Sequence, residues 1–314
     1  MLRRNTLRRF CVVAIVASGL VMKGYGGNRS GAVSGQFLKL PFNARAAGIG
    51  NAQVALAEGA LSMASNPAGV LSIEEASFGS TYNQWWADIM VGFVGVGVKL
   101  DDWGTIGAGV TLLTTDNMAV TTAAFPDGTG EQFKSTEAAY TITYARQISD
   151  LFGIGLSAKY ITSNLYNKEI TSNSVAFDIG TLYDIPVLRT RLGISITNLG
   201  QDLKYITEQY SLPTALRFGA KTTVIQEDMH LVSAVFQIGR PNDADEQYNV
   251  GLEYTFHELL SLRGGYKFNY DIEDWSGGMG VSLTGLGLKG TVDYAYSHYK
   301  FLPGTHMFSL ELGF

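Results

Sequence analysis

Several short constellations in this 314-residue chain carry residue types that could do chemistry. Gly285, Gly287 and Gly290 are spaced as G-x-G-x-x-G. A dinucleotide site needs that spacing between a strand and a helix, so that the helix N-terminus meets the pyrophosphate. Here a strand pattern follows, and the spacing reads as a tight turn. The histidines His230, His257, His298 and His306 stand too far apart for an H-E-x-x-H ligand set. His298 and His306 flank one loop near Asp293 and Ser297, which leaves open a hydrolytic His/Asp or Ser/His pair at a rim, but no nucleophile signature accompanies them. Asp243, Asp245 and Glu246, like Asp271, Glu273 and Asp274, could hold a divalent cation or simply be solvated loop charges. The remaining feature is ALSMASNPAGVL at 60–71, where small helix-tolerant residues run into Asn66, Pro67, Ala68 and Gly69. The residue before a proline is pushed out of the α region, so a helix expected over 44–63 would end at Asn66. These patterns predict no enzyme, no cofactor and no metal centre.

The elements that must position these residues follow from composition. Charged residues are 16% of the chain and aromatics 11%, with 37 glycines. That balance is low in charge for a soluble protein and rich in what strands and tight turns use. Mean hydropathy is +0.08, too low for a bundle of membrane helices, and no later segment has the 18 or so consecutive apolar residues of a spanning helix. The formal net charge is -5, with no Lys/Arg run after the first ten residues, which argues against nucleic-acid binding. Arg3, Arg4, Arg8 and Arg9 precede an apolar run over 10–22 and then Gly/Asn/Ser-rich sequence. This is the layout of a secretory signal peptide, assigned here to 1–26, the alternative being a retained helical anchor. No A-x-A marks the cleavage site. Cys11 is the one cysteine of the chain and lies in that run, so a mature chain would have no thiol chemistry.

From Ala76 onward apolar residues recur with period two, the strand signal. Fourteen such runs are expected, at 76–84, 89–100, 105–113, 133–146, 153–164, 173–185, 190–199, 214–224, 229–238, 248–256, 261–270, 276–283, 287–297 and 306–314. Most approach the roughly 9 to 11 residues of a tilted membrane-spanning strand. Short connections at 101–104, 147–152, 186–189, 225–228, 257–260 and 284–286 alternate with longer ones at 114–132, 165–172, 200–213, 239–247, 271–275 and 299–305. That alternation is the pattern of an outer-membrane barrel, with turns toward the periplasm and loops outside. The connection at 85–88 is short on the loop side and breaks the rule. An even strand number would return both termini to the periplasm.

Charge placement points the same way. Lys159, Asp178, Arg191, Arg217, Lys221, Glu253, Arg263, Lys267, Lys289, Asp293 and Glu311 fall opposite the apolar face of their strands and are expected in the lumen. A charge facing lipid at mid-bilayer would cost about 2–4 kcal/mol. Trp85, Trp86, Trp103 and Trp275 sit at strand ends, where aromatic girdles belong. Phe308, Leu310, Leu312 and Phe314 alternate to the last residue. They form a lipid face and also look like the signal read by the barrel-assembly machinery.

Two regions together resemble a known family. They comprise FLKLP at 37–41, ARAAG at 44–48 and SNPAG at 65–69, followed by TYN at 81–83, YAR at 144–146, DIG at 178–180, NLG at 198–200, VGLEY at 250–254, RGGY at 263–266 and VDYAY at 292–296. The sequence is similar to the PorV/PorQ family of outer-membrane proteins, related to the FadL-type hydrophobic-compound transporters. The resemblance implies an all-β, fourteen-stranded transmembrane barrel over 76–314, with 27–75 as a periplasmic or lumenal hatch of short helices. It implies that the Asn-Pro-Ala motif of such hatches falls at Asn66, Pro67 and Ala68. It also implies either passage of a hydrophobic small molecule or, for a type IX secretion component, binding of protein partners through the outer loops. Outer-membrane lipid surrounds such a barrel.

Overall fold

The computed structural model describes residues 33–166 and 170–314. The expected signal peptide, with Cys11, lies outside the described residues. The barrel strands are β1 (Ala76–Gln84), β2 (Met90–Lys99), β3 (Thr105–Thr114), β4 (Thr136–Ser149), β5 (Phe152–Tyr166), β6 (Ile170–Ile185), β7 (Thr190–Gly200), β8 (Ala215–Glu227), β9 (His230–Pro241), β10 (Gln247–Phe256), β11 (Leu260–Phe268), β12 (Glu273–Ser282), β13 (Lys289–Tyr299) and β14 (Thr305–Gly313). Each pairs antiparallel with its sequence neighbours, and β14 pairs with β1, so the sheet closes as a barrel. All fourteen expected strands are present, and closure leaves no free edge.

Burial alternates along each strand as period two requires. In β4 the outward Tyr140, Ile142 and Tyr144 are exposed while Thr141, Thr143 and Ala145 are buried. The outward face is a band of Val, Ile, Leu, Phe and Tyr, and the inward face is mostly Gly, Ser, Thr and Ala, with the charges among them. A barrel of eight strands is just filled by its own side chains. One of fourteen strands with small inward residues leaves a space that something else must occupy.

Residues 33–75 occupy it. Hydrogen bonds run from this segment to β1 (Thr81), β6 (Thr181), β9 (Gln237), β10 (Glu253), β12 (Ser276) and β14 (Ser309), which lie right around the ring. The helix expected over 44–63 does not form as one piece. A single α-turn spans Ala44–Gly48, and 3-10 turns span Gln36–Lys39, Ala60–Ala64 and Pro67–Ser72. The breaks have local causes: Gly50, Asn51 and Gly59 take positive φ of 75°, 59° and 66°, which a continuing helix cannot accommodate. Asn66 does not end a helix; it starts one. Its side chain accepts from the Ala68 amide and Pro67 takes the first helical position, where a missing N–H costs nothing.

The connections and the chain direction also differ from expectation. Residues 115–135 and 201–214 are long loops, and each carries a two-stranded sheet, Met118–Ala119 with Gln132–Phe133 and Leu203–Tyr205 with Glu208–Tyr210. At 242–246 and 300–304 the strands run further than expected and leave short links, and at 269–272 β11 ends and β12 starts earlier than expected. Strand ends outside the apolar band keep pairing because backbone groups there still gain hydrogen bonds. The described chain starts at the long-loop end, not the turn end. Val33 bridges Ser211, the Ser34 amide donates to the Ser211 carbonyl at 3.0 Å, and Lys39 pairs with Asp243 at 2.9 Å. From there the segment descends through the barrel to enter β1 at the turn end, so the two described termini lie at opposite ends.

Candidate functional site: a plugged lumen

Asn66 is fully buried. Its Nδ2 donates to the Val54 carbonyl at 2.9 Å and to the Thr181 carbonyl at 3.1 Å, tying the inner segment to itself and to β6. The wall makes room for it with glycine. A Cβ on Gly180 would lie 1.9 Å from Asn66 Oδ1, and one on Gly155 would lie 2.4 Å from the backbone of Pro67 and Ala68. Gly69 lets the turns at Ala60–Ala64 and Pro67–Ser72 stack, since a Cβ there would meet the Ser62 side chain at 2.5 Å. The same device recurs around the ring, with Gly193 against Val54, Gly251 against Ile49, Gly265 against Gly50 and Gly278 against Gly48.

An irregular backbone at membrane depth must have its polar groups met by protein or water. Here wall side chains meet them. Gln237 Oε1 accepts from the Gln53 and Val54 amides at 3.0 Å each, and Asn249 Nδ2 donates to the Gly50 carbonyl at 2.7 Å. Ser276 Oγ accepts from the Gly50 amide at 3.0 Å, and Thr81 Oγ1 donates to the Phe42 carbonyl at 2.8 Å. Glu311 accepts from the Ala60 and Leu61 amides at 2.6 and 3.2 Å, capping the turn they begin.

The inner-segment charges Arg45 and Glu58 form a chain of ion pairs with the wall. Arg45 pairs with Glu58 at 2.7 Å and with Glu253 at 2.8 Å; Glu253 pairs with Arg263 at 2.6 Å, and Arg263 with Asp293 at 2.5 Å. Glu58 in turn meets Arg191 at 3.1 Å and Lys221 at 3.8 Å, and Arg191 holds Asp184 at 2.8 Å. Burial by itself would raise the Glu58 pKa, but Arg45, Lys221 and Arg191 together hold it down to about 2.

The other lumen residues expected from sequence form separate clusters. Buried Lys159 pairs with Asp178 at 2.6 Å and donates to Asn198 at 3.0 Å, at a bulge between β6 and β7 where Asn198 takes φ 61°. Asn198 also donates to the Pro213 carbonyl at 3.0 Å, which fixes the base of the 201–214 loop. Arg217 donates to Thr197 at 2.9 Å, and Lys267 pairs with Glu273 beneath the Tyr270 ring. Lys289 stands apart: it lies at its strand end, exposed, paired with Glu74 at 2.6 Å. Phe308 and Phe314 are exposed on the outward face.

The rim pair left open by the sequence does not assemble. Asp293 and Ser297 face inward, while His298 and His306 face outward, bonded to Asp274 and to the Tyr294 hydroxyl at 2.7 Å each. The acidic loop clusters are divided among cations: Asp243 goes to Lys39, Glu246 to Arg240, and Glu273 to Lys267. Gly287 terminates a 3-10 turn at Leu283–Leu286 with φ 76°, and β13 follows without a helix. Trp85 and Trp86 meet buried Tyr299 edge-to-face with ring centroids 5.7 and 4.6 Å away, so they cap the loop end of the barrel, whereas Trp103 and Trp275 are exposed as girdle residues should be.

The family profile of the type IX secretion system protein PorV matches residues 27–240, more than half of the sequence. The chain belongs to the PorV family. No curated protein matches it by sequence. Among solved structures it is similar to the toluene transporter TbuX of Ralstonia pickettii (TM-score 0.60, 14% identity, 87% of this chain and 98% of that one). It is also similar to the toluene transporter TodX of Pseudomonas putida (TM-score 0.60, 12% identity, 88% and 99%) and to a FadL homologue of Pseudomonas aeruginosa (TM-score 0.51, 11% identity, 86% and 97%). At these identities the likeness is one of fold.

The PorV-family chain is thus a bacterial outer-membrane barrel. In outer-membrane barrels the short-turn end faces the periplasm and the long-loop end the outside. The ion-pair chain through Arg45, Glu58 and Glu253 therefore lies toward the periplasmic half, and the Lys159–Asp178–Asn198 cluster toward the outer half. Sequence reasoning missed Arg45, Glu58, Gln237, Asn249 and Ser276 as a set. The wall residues carried one usable signal, a polar side chain at an inward parity position. Nothing local marked the inner-segment partners.

Proposed function

We propose that this barrel binds or passes a hydrophobic small molecule across the outer membrane, with residues 27–75 acting as the hatch. The observation that carries this reading is the way the inner segment is held. It is attached to the wall by separable side-chain contacts at glycine-flattened sites, and it is not woven into the sheet. A plug held so can shift while the barrel stays closed. At the outer end, Phe37 and Leu38 of the segment pack with Ile161, Leu203 and Leu212 in a buried apolar cluster, and a shift of the segment would open that cluster to an apolar solute. On the lipid side of the wall, a cavity of about 530 Å³ is lined by Val94, Val96, Val110, Tyr140, Ile142 and Tyr160. Transporters of toluene share the fold. The direct test is uptake of labelled toluene or a labelled fatty acid into proteoliposomes. Uptake by wild type that changes on deletion of residues 44–70 is expected; absent uptake, or uptake indifferent to the deletion, rejects the reading.

A second reading has its own support. The two long outer loops, each with a small sheet of its own, expose Met118, Phe125, Ile206 and Tyr210. Exposed apolar side chains on ordered loops suit protein partners, and the family is that of a secretion-system protein. Replacing Phe125 and Ile206 by Ser would then abolish co-purification of such a partner from native membranes while leaving uptake intact.

A further inference from the structure

At the periplasmic mouth, between the turn at Pro186–Leu188 and β8, lies a cavity of about 340 Å³ lined by Glu58, Asp184, Arg189, Arg191, Lys221 and Thr223. Its carboxylates are fully engaged. Asp184 takes both the Nε and Nη2 of Arg191, at 2.8 and 3.4 Å, and Glu58 is divided among Arg45, Arg191 and Lys221. Glu253, the next carboxylate along, is shared between Arg45 and Arg263.

The cations are not matched. Lys221 donates no hydrogen bond among the described residues and approaches its nearest carboxylate only to 3.8 Å, although its side chain is 19% exposed. Arg189 pairs with no carboxylate among the described residues, yet its backbone is fixed at the mouth: its amide donates to Pro186 and its carbonyl accepts from the Thr223 amide, each at 3.0 Å. A largely desolvated ammonium whose one carboxylate contact stands at 3.8 Å is incompletely neutralised, and Arg189 on the same cavity lining adds a planar fork that suits an oxyanion.

We propose that this basin is a binding site for a compact oxyanion such as inorganic phosphate, and that the bound anion competes with Glu58 for Lys221 and Arg191. Glu58 is the residue of the inner segment that these wall cations hold. An anion that takes over those cations therefore releases one anchor of the plug from the periplasmic side. The site is linked to the inner segment through Glu58, so it stands or falls independently of what the barrel passes.

The test uses the full barrel in detergent at constant ionic strength set with chloride. Saturable broadening of the phosphate 31P resonance is expected, with amide protection over residues 54–64 falling at saturation. Lys221→Gln with Arg189→Gln should weaken binding at least tenfold, whereas Lys221→Arg, which keeps the charge, and Arg240→Gln, at the opposite rim, should preserve it. Arg189→Gln alone, on an exposed turn, should weaken binding without affecting the heat-modifiable gel migration that reports a closed barrel. Non-saturable broadening, or equal affinity in the double variant, overturns the site. Saturable binding with unchanged protection over 54–64 overturns the competition with Glu58.

Discussion

At the scale of single residues, the plug approaches the wall most closely where the wall has no side chain. Asn66 illustrates the economy of such a contact. One amide caps a helical turn, bridges to Val54 and reaches the Thr181 carbonyl. Asn66→Ala removes all three and strands buried backbone groups, a loss of about 1–3 kcal/mol in local stability. Hydrogen exchange over 54–70 should accelerate while barrel-strand exchange stays slow; equal protection in the variant would show that the contacts do not hold the segment. Glycine substitution separates plug from wall in the same way. Gly180→Ala sets a Cβ against Asn66 Oδ1, whereas Gly264 has open space around it. Gly180→Ala should displace the segment and Gly264→Ala should not, as read by protease sensitivity of residues 44–70.

At the scale of elements, the inner segment is best described as a series of short turns whose stability comes from the wall. Its polar backbone is satisfied by Gln237, Asn249, Ser276 and Glu311, and its charges by Glu253, Arg191 and Lys221. Because Glu58 ionises more readily in the folded protein than free, its contribution is fully present above its unfolded pKa of about 4.3 and is lost as pH falls toward about 2. Protection factors over 54–64, corrected for intrinsic exchange, should therefore be flat from pH 7 to pH 5 and fall below pH 4. Glu58→Gln should be low at neutral pH and lose less protection on acidification, the remainder coming from Glu311, whose carboxylate caps the Ala60 and Leu61 amides. A steep change between pH 7 and pH 5 would implicate another group.

At the scale of the whole molecule, closure is a backbone property. Ala76 and Phe314 exchange amide–carbonyl hydrogen bonds at 2.9 and 3.4 Å where the first and last strands meet, while the Phe314 ring is exposed to the surroundings. The ring therefore contributes little to the folded barrel itself. Phe314→Ser should refold into liposomes with normal heat-modifiable migration yet reach the outer membrane in reduced amount, as expected of a residue read by the assembly machinery. Equal amounts in the membrane would reject that role.

What the sequence determined by itself is whatever has a local cause. Period-two alternation specified the strands and which face of each meets lipid, because successive side chains of a strand point opposite ways regardless of partner. The inward parity of Lys159, Asp178, Glu253 and Arg263 was legible for the same reason. What only the tertiary structure decided is who meets whom. Parity says that Glu253 faces the lumen; ring closure and the path of the inner segment give it Arg45, some two hundred positions earlier, as well as its strand neighbour Arg263. The break-up of the expected 44–63 helix belongs here too. Its turns bend to follow glycines on β7, β10, β11 and β12, and those surfaces exist as one surface only after the barrel has closed. The same holds for the start of the described chain at the outer end: an even strand number fixes where β1 begins and β14 ends, but the direction in which the plug enters depends on packing against the 201–214 loop.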